Sequence, residues 1–152
     1  MTTNPHFETA DSWNAAETML AFRPLQPTYT AGFELEAIRI YVRDHRQREL
    51  TIADRTCEAH YGSFVVSQSR RAPDEARRLA LEVSYGRNPI VARVFEHEAR
   101  LYELGPEPAP EDIEGRSPAV VTWHDGDMFF LVASSEMPSI ELQKIAMSLY
   151  PR

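Results

Sequence analysis

The sequence predicts an α+β fold in which a curved antiparallel β-sheet is covered on one face by an N-terminal and a C-terminal helix. Most connections between strand-like segments are too short for a crossover helix, so neighbouring strands must run antiparallel. An Asp-Gly pair, Asp125-Gly126, separates two apolar runs, as in a tight hairpin. Amphipathic segments near both ends can bury one face of the sheet. We expect residues 1–10 to be a frayed or disordered tail and residues 11–152 to form a single domain.

The first predicted element is a short amphipathic helix from Asp11 to Phe22. Asp11 or Ser12 can cap its exposed backbone amides, and Pro24 ends it. A helix of this length is marginal in water by itself, so it should pack on the sheet. Its apolar positions at helical spacing are Trp13, Ala16 and Leu20.

Strand-like alternation begins at Phe33. Its parity shifts near Ala37-Ile38, which indicates either a β-bulge or a strand buried on both faces. The segments that predict an antiparallel meander are Phe33–Val42, Leu50–Ala53, Cys57–Tyr61 and Phe64–Ser69.

The middle of the chain is less regular. Pro73 to Leu81 has helical character, because proline suits a first helical turn and acidic residues follow it. Ile90–Phe95 and Ala99–Leu104 predict either a hairpin or one long strand. The proline-rich segment from Gly105 to Ser117 predicts an exposed, partly extended loop.

The last third carries the clearest pattern. Ala119–His124 and Asp127–Ala133 predict a hairpin around the Asp-Gly turn. Pro138–Tyr150 predicts a closing helix, since its apolar residues lie on one stripe. These residues are Leu142, Ile145, Ala146 and Leu149.

Composition excludes several classes of function. With 16 basic and 23 acidic residues, the net charge is −7, which argues against a nucleic-acid-binding face. The six glycines are at least ten positions apart, so no glycine-rich phosphate loop or dinucleotide motif is present. Cys57 is the single cysteine, which excludes an internal disulfide and a cysteine-cluster zinc site. No cofactor is predicted.

The same residues bear on cellular location. The longest apolar run, Met128–Ala133, is far shorter than the roughly 20 residues that span a bilayer. Met1 to Glu8 does not have the basic flank and apolar stretch of a secretory signal. The sequence therefore predicts a cytoplasmic protein without a membrane span.

Histidines are the obvious candidates for acid–base or metal chemistry. His60 follows Glu58 by two positions in a predicted strand, so both side chains should share a sheet face. His97 lies between two glutamates, and His124 precedes the Asp-Gly turn. None of these has the ligand spacing of a known zinc or calcium motif, and no metal site or catalytic residue is predicted.

Aromatic residues recur through the predicted strands. They can fill the core between sheet and helices, or line a cavity for an apolar ligand. Adjacent strand residues point to opposite faces, so Phe129 and Phe130 cannot both face the same core. As speculative ligand-binding residues, the sequence offers Tyr41, His60, Phe64, Phe95 and Trp123.

The C-terminal third also resembles a bacterial family of domains of unknown function, and the likeness extends over residues 20–150. That family has a Trp-bearing strand, a Gly turn, and a closing helix similar to Glu-Leu-x-Lys-Ile-Ala-x-Ser-Leu. The matching segments here are Phe22–Pro27, Gly32-Phe33, Ala99–Tyr102, Val120–Trp123, Met128–Val132 and Ile140–Leu149.

The resemblance implies an α+β domain that often lies on the outer side of bacterial membranes, beside anti-sigma factors or lipoprotein-sorting-like domains. The family has no assigned reaction, so the resemblance supplies no catalytic residue.

Three functions follow from these patterns. The favoured one is a non-enzymatic binding or regulatory module that holds a peptide or an apolar small molecule on the concave sheet face. The second is a homo-oligomeric scaffold, such as a homodimer formed through an exposed strand or aromatic patch. The third is a small, cone-shaped α+β enzyme with a histidine general base beside a carboxylate.

Overall fold

A computed structural model describes residues 6–44, 46–71, 74, 75, 78, 87–106 and 116–150. Its strands form one antiparallel eight-stranded sheet, and two helices lie wholly within the described residues, which confirms a sheet-dominated α+β architecture. The strands are β1 (Phe7–Ala10), β2 (Leu35–Tyr41), β3 (Thr56–Tyr61), β4 (Val65–Arg70), β5 (Ile90–Val94), β6 (His97–Tyr102), β7 (Ala119–Asp125) and β8 (Met128–Ser134). The helices are α1 (Trp13–Thr18) and α2 (Ser139–Met147), with a 3-10 turn at Ile52–Asp54.

The sheet is built from two meanders. Strands β1 to β4 follow one another in space, and β5 to β8 do the same in reverse, so that β4 pairs with β8 at the centre. Among the described strands, the edges are therefore β1 and β5. Because side chains alternate across a strand, the sheet has two faces. We call the face that carries Ile40 and Cys57 the core face, and the face that carries Tyr41 and Glu58 the outer face.

Both helices contribute to the main hydrophobic cluster. Ser12 caps α1, its hydroxyl accepting from the backbone N–H of Ala15 at 3.0 Å, and Ala16 of α1 is fully buried. Helix α2 contacts β5, β7 and β8. Its residues Leu142 and Ile145 are fully buried, and each such side chain contributes about 1.5–3 kcal/mol by leaving water.

The centre of the sheet is buried on both faces. Phe130 belongs to the main cluster, whereas Phe129 lies in a second cluster on the outer face. The separation of these adjacent rings confirms the prediction from strand alternation. The second cluster consists of Tyr102, Val120, Phe129 and Leu131.

Two sequence predictions are wrong in detail. The expected tail contains β1, because Phe7–Ala10 pairs with β2 and the Phe7 ring packs on Tyr41. The expected strand Leu50–Ala53 is replaced by the 3-10 turn, in which the Thr51 hydroxyl donates to the Asp54 carboxylate at 2.6 Å. This short side-chain bond favours a turn over an extended strand.

Other local predictions are confirmed. The register of β2 against β3 shifts between Leu35 and Ala37, beside the expected bulge. Gly126 has φ +63° in the β7–β8 turn, a conformation that glycine adopts at little cost. The segment from Ile90 onward forms a hairpin, with Phe95 at φ +57° in its turn.

Some predictions fall outside what the structure describes. The helix expected at Pro73–Leu81 and the loop expected at Gly105–Ser117 lie mostly outside the described residues. Within the described part of the chain, no helix is long and apolar enough to cross a membrane.

Candidate functional site

The candidate site lies on the outer face of β1, β2 and β3. The outward-pointing side chains from Ala37 to Tyr41 in β2 and from Thr56 to His60 in β3 are half-buried, in contrast to those at the centre of the sheet. We call it the outer-face patch, and it consists of Phe7, Arg39, Tyr41, Glu58 and His60.

Glu58 lies at the centre of the patch. Its Oε1 is 2.7 Å from His60 Nε2, which is shielded from solvent, and the contact does not have the alignment of a hydrogen bond. The Tyr41 hydroxyl donates to the same oxygen at 3.4 Å. The prediction that Glu58 and His60 share a sheet face is thus confirmed.

The environment of Tyr41 favours a protonated phenol. Burial raises its pKa above the ordinary value, and the Glu58 carboxylate raises it further, while Arg39 opposes the shift. Tyr41 is therefore a hydrogen-bond donor at neutral pH, aimed at Glu58.

Arg39 and Phe7 form the other end of the patch. The Arg39 guanidinium lies over the Phe7 ring, 4.7 Å from its centroid, as in a cation–π contact. The Phe7 ring is tilted against that of Tyr41, with the centroids 5.6 Å apart. No described carboxylate forms an ion pair with Arg39.

A groove of about 360 Å³ continues the patch beyond His60. The Ser63 hydroxyl donates to Glu136 Oε2 at 3.1 Å across its wall. Gly62 is required there, since a Cβ atom would lie 2.8 Å from the Phe33 ring. The remaining lining includes Phe64, Val65, Pro118, Ala133 and Ser135.

The ligand residues predicted from the sequence lie in two separate regions of the fold. Tyr41 and His60 meet at Glu58, and Phe64 borders the adjacent groove. Phe64 itself is only 2% exposed and stacks on Tyr61, with a centroid distance of 4.7 Å.

Phe95 and Trp123 lie elsewhere, around Tyr150. The Trp123 indole N–H donates to the Tyr150 hydroxyl oxygen at 2.9 Å, and Tyr150 donates to Asp125 Oδ2 at 3.0 Å. The ring of Phe95 meets Tyr150 edge-on, at a centroid distance of 6.1 Å. His97 stacks on Tyr150, and its Nε2 is 3.5 Å from Asp125 Oδ2. We call these five residues the Tyr150 cluster.

The residues of the Tyr150 cluster pack in the core and stabilise the fold. Trp123 is 2% exposed and stacks on Phe130 at 5.0 Å. Burial is the main cause that raises the pKa of Tyr150, and the Asp125 carboxylate adds to it. Its hydroxyl, which both accepts and donates a hydrogen bond, has little capacity left for a ligand.

The other titratable groups are weaker candidates for a ligand-binding site. Burial lowers the pKa of His124, whose ring packs on Phe129 at 5.2 Å. A second groove of about 630 Å³ contains Arg70 and Arg71, but their guanidinium groups already face the carboxylates of Asp127 and Glu75. Among the described residues, no cluster of three or more histidine, cysteine or acidic side chains could hold a metal ion.

Sequence reasoning missed Phe7 and Arg39. The sequence places Phe7 in the predicted tail and gives no sign of the strand that carries it. Arg39 alternates with Tyr41 in β2, and that alternation alone could have placed the two side chains on one face.

Comparison with protein-family models, with curated proteins and with solved structures finds no significant match.

Proposed function

We propose that the chain is a non-enzymatic binding module that holds a small polar ligand or a short peptide on the outer-face patch. One observation carries the proposal: Tyr41 and His60, from neighbouring strands, approach the same carboxylate oxygen of Glu58 beside a groove. Clustered polar groups next to a concavity and aromatic rings are typical of ligand sites.

The arrangement of the layers supports this location. We propose that both helices cover the core face, which leaves the outer face of β1 to β3 for a ligand. Ala16 of α1 and Ile145 of α2 share one buried cluster with Ile40 and Cys57, whose side chains point away from the patch.

Burial of the other aromatic candidates favours a polar ligand over an apolar one. Phe64 and Trp123 are almost completely buried and stacked on neighbouring rings. An enclosed apolar cavity lined by them would require repacking of the core, which costs several kcal/mol. The half-buried groups of the patch need no such change.

The biological setting is also a proposal. The resemblance to a bacterial family of unknown function favours a regulatory module, and the predicted cytoplasmic location and the extracytoplasmic location of the family are both compatible with ligand sensing by this face.

The test is a titration of isotope-labelled protein, followed by backbone amide chemical shifts. Pools of short peptides and a fluorescent fatty acid serve as probes. We expect the peptide pools to shift amides of β1 to β3, and His60→Asn to weaken the response. His124→Asn is the matched control, because that histidine lies on the outer face but outside the patch. Shifts confined to other regions, or shifts with the fatty acid alone, would contradict the proposal.

A second candidate is an enzyme in which His60 acts as a general base. It is favoured by the 2.7 Å distance between His60 Nε2 and Glu58 Oε1 at the edge of the groove. Turnover of a panel of chromogenic esters that is lost in His60→Asn and kept in His124→Asn would support it.

A third candidate is the homodimeric scaffold. The edge strand β5 exposes Ile90 and Val91, which are 51% and 68% exposed. Unpaired strand edges with apolar side chains favour association. Light scattering over a dilution series tests this function, with Val91→Lys as the variant expected to abolish a dimer.

A further inference from the structure

Arg39 and Glu58 have opposite charges and lie directly opposite each other in the β2–β3 register, yet they form no ion pair. The guanidinium of Arg39 lies over Phe7, and the carboxylate of Glu58 is near Tyr41 and His60. Opposite charges in such a cross-strand position usually attract each other. Here the two charges meet only through Tyr41, whose hydroxyl donates to Glu58 and whose pKa, raised by burial, is partly lowered by the neighbouring Arg39.

The result is a patch with a positive and a negative group that do not form a direct ion pair. A guanidinium presents a planar fork of N–H donors that matches a carboxylate, and stacking on a ring fixes its orientation. The Glu58 carboxylate can accept hydrogen bonds from an ammonium group. Both side chains are half-buried, which strengthens a charge contact relative to one in open water.

We propose that the outer-face patch binds a small zwitterion of the α-amino-acid class. The carboxylate of the ligand lies against Arg39, its ammonium group lies against Glu58, and its side chain lies beside the rings of Phe7 and Tyr41. The inference rests on the proposed function and names the ligand class for that same site.

The far edge of the sheet supplies a matched control. Arg93 of β5 and Glu98 of β6 are also direct cross-strand partners, and the register across the sheet places them on the outer face. No described ring lies under Arg93, and no described histidine faces Glu98. This pair has the same charges without the rest of the patch.

The experiment compares three ligands that share one ring. Phenylalanine carries both charges, 3-phenylpropionate has only the carboxylate, and phenethylamine has only the ammonium group. Calorimetry and amide shifts at neutral pH and constant ionic strength measure each affinity. We expect phenylalanine to bind at least about tenfold more tightly than either analogue, because each half-buried charge contact contributes separately.

Variants of the patch test which residue binds each charged group of the ligand. Arg39→Gln should reduce the affinity for phenylalanine to that for phenethylamine, and Glu58→Gln should reduce it to that for 3-phenylpropionate. Arg93→Gln and Glu98→Gln should leave all three affinities unchanged.

The outcomes separate this inference from the proposed function. Equal binding of phenylalanine and one of its analogues, or equal effects of the Arg39 and Arg93 variants, would overturn the zwitterion assignment. So would failure of all three compounds to bind while short peptides still shift the patch, and in that case the proposed function stands. If neither the three compounds nor the peptides shift the patch, both proposals are wrong.

Discussion

The Tyr150 cluster and the outer-face patch contain similar types of residue, but they differ in how completely their polar groups are hydrogen-bonded. Each contains aromatic rings and a histidine beside a carboxylate. In the cluster, the Trp123 N–H and the Tyr150 O–H both have partners within 3.0 Å, and the rings of Phe95, His97 and Trp123 all pack against Tyr150. In the patch, the guanidinium of Arg39 has no carboxylate partner among the described residues, and the Tyr41 bond is long, at 3.4 Å.

The difference teaches that residue type alone does not identify a functional site in this fold. A buried polar group with short, complete hydrogen bonds stabilises the fold, and its removal should be costly. A half-buried group whose contacts are long or incomplete contributes less to stability and keeps hydrogen-bonding capacity for a ligand. The comparison therefore predicts large effects on unfolding from changes in the cluster and small ones from changes in the patch.

The largest effect is expected for Trp123→Ala. The substitution removes a fully packed ring, its stacking on Phe130 and its hydrogen bond to Tyr150. Loss of such an aromatic side chain from a core costs about 3–5 kcal/mol. Denaturant unfolding followed by circular dichroism measures the change in free energy of unfolding.

The Trp123→Ala measurement needs a control variant and a limit below which the prediction is wrong. Ile52→Ala serves as the control, because Ile52 is an exposed apolar residue of the 3-10 turn and should change stability by less than about 0.5 kcal/mol. A loss below about 1 kcal/mol for Trp123→Ala would mean that the cluster does not support the core.

A smaller effect is expected for Tyr150→Phe. The ring contacts with Phe95, His97 and Trp123 remain, but the indole N–H loses its acceptor and Asp125 loses a donor. An unsatisfied buried donor costs about 1–3 kcal/mol. Tyr29→Phe is the control, because its hydroxyl donates to Glu141 at the surface. Equal losses for both variants would contradict the distinction between buried and exposed hydroxyl groups.

Strand β3 has titratable side chains on both faces of the sheet, and the burial of Cys57 makes the stability of the fold depend on pH. Glu58 faces the patch, whereas the neighbouring Cys57 faces the core and is fully buried. Burial raises the pKa of the Cys57 thiol from 9.0 to about 12, and the charge of Glu58 adds to the shift. The thiol stays protonated in the folded protein, while the unfolded chain ionises near its ordinary value.

This shift predicts a loss of stability at alkaline pH. A raised pKa contributes fully below the unfolded value and is lost as pH rises toward the folded value. Between about pH 8 and pH 10 the loss should reach about 1.4 kcal/mol. Urea unfolding across this range measures it, and in Cys57→Ala the loss should shrink by this amount whatever the change in absolute stability. The smaller loss that remains belongs to tyrosines such as Tyr61 and Tyr150, whose pKa values are also raised by burial. An unchanged slope in the variant would assign the pH dependence to other groups.

Most of the fold could be predicted from local patterns because its hairpins depend on local chemistry. The β7–β8 turn needs only an Asp-Gly pair between two apolar runs, and helix α2 needs only its buried stripe of Leu142, Ile145 and Ala146. Strand β1 could not be found in this way, since four residues without strong alternation gain order only by pairing with β2.

The candidate site was harder to predict than the fold. The Glu58–His60 pair followed from alternation, but the sequence contains no signal that brings Phe7 to Tyr41 or separates Arg39 from Glu58. Those contacts depend on the strand order β1-β2-β3 and on the register between the strands. The sequence predicts Trp123 and Phe95 as ligand residues because it does not show the contacts that Tyr150 makes with them.

The smallest effect on stability is expected for Arg39→Gln. The substitution removes the cation–π contact with Phe7, which contributes about 0.5–1 kcal/mol where the cation, like the half-buried Arg39, keeps part of its hydration. The glutamine stem still covers part of the ring. We therefore expect the free energy of unfolding to change by less than about 1 kcal/mol. Arg93→Gln, which removes an arginine that lies over no described ring, should change it by less than about 0.5 kcal/mol. A loss of unfolding free energy for Arg39→Gln as large as that for Tyr150→Phe would contradict this expectation. It would show that the Arg39 side chain, like the Tyr150 cluster, mainly stabilises the fold, and that binding a ligand would compete with this role.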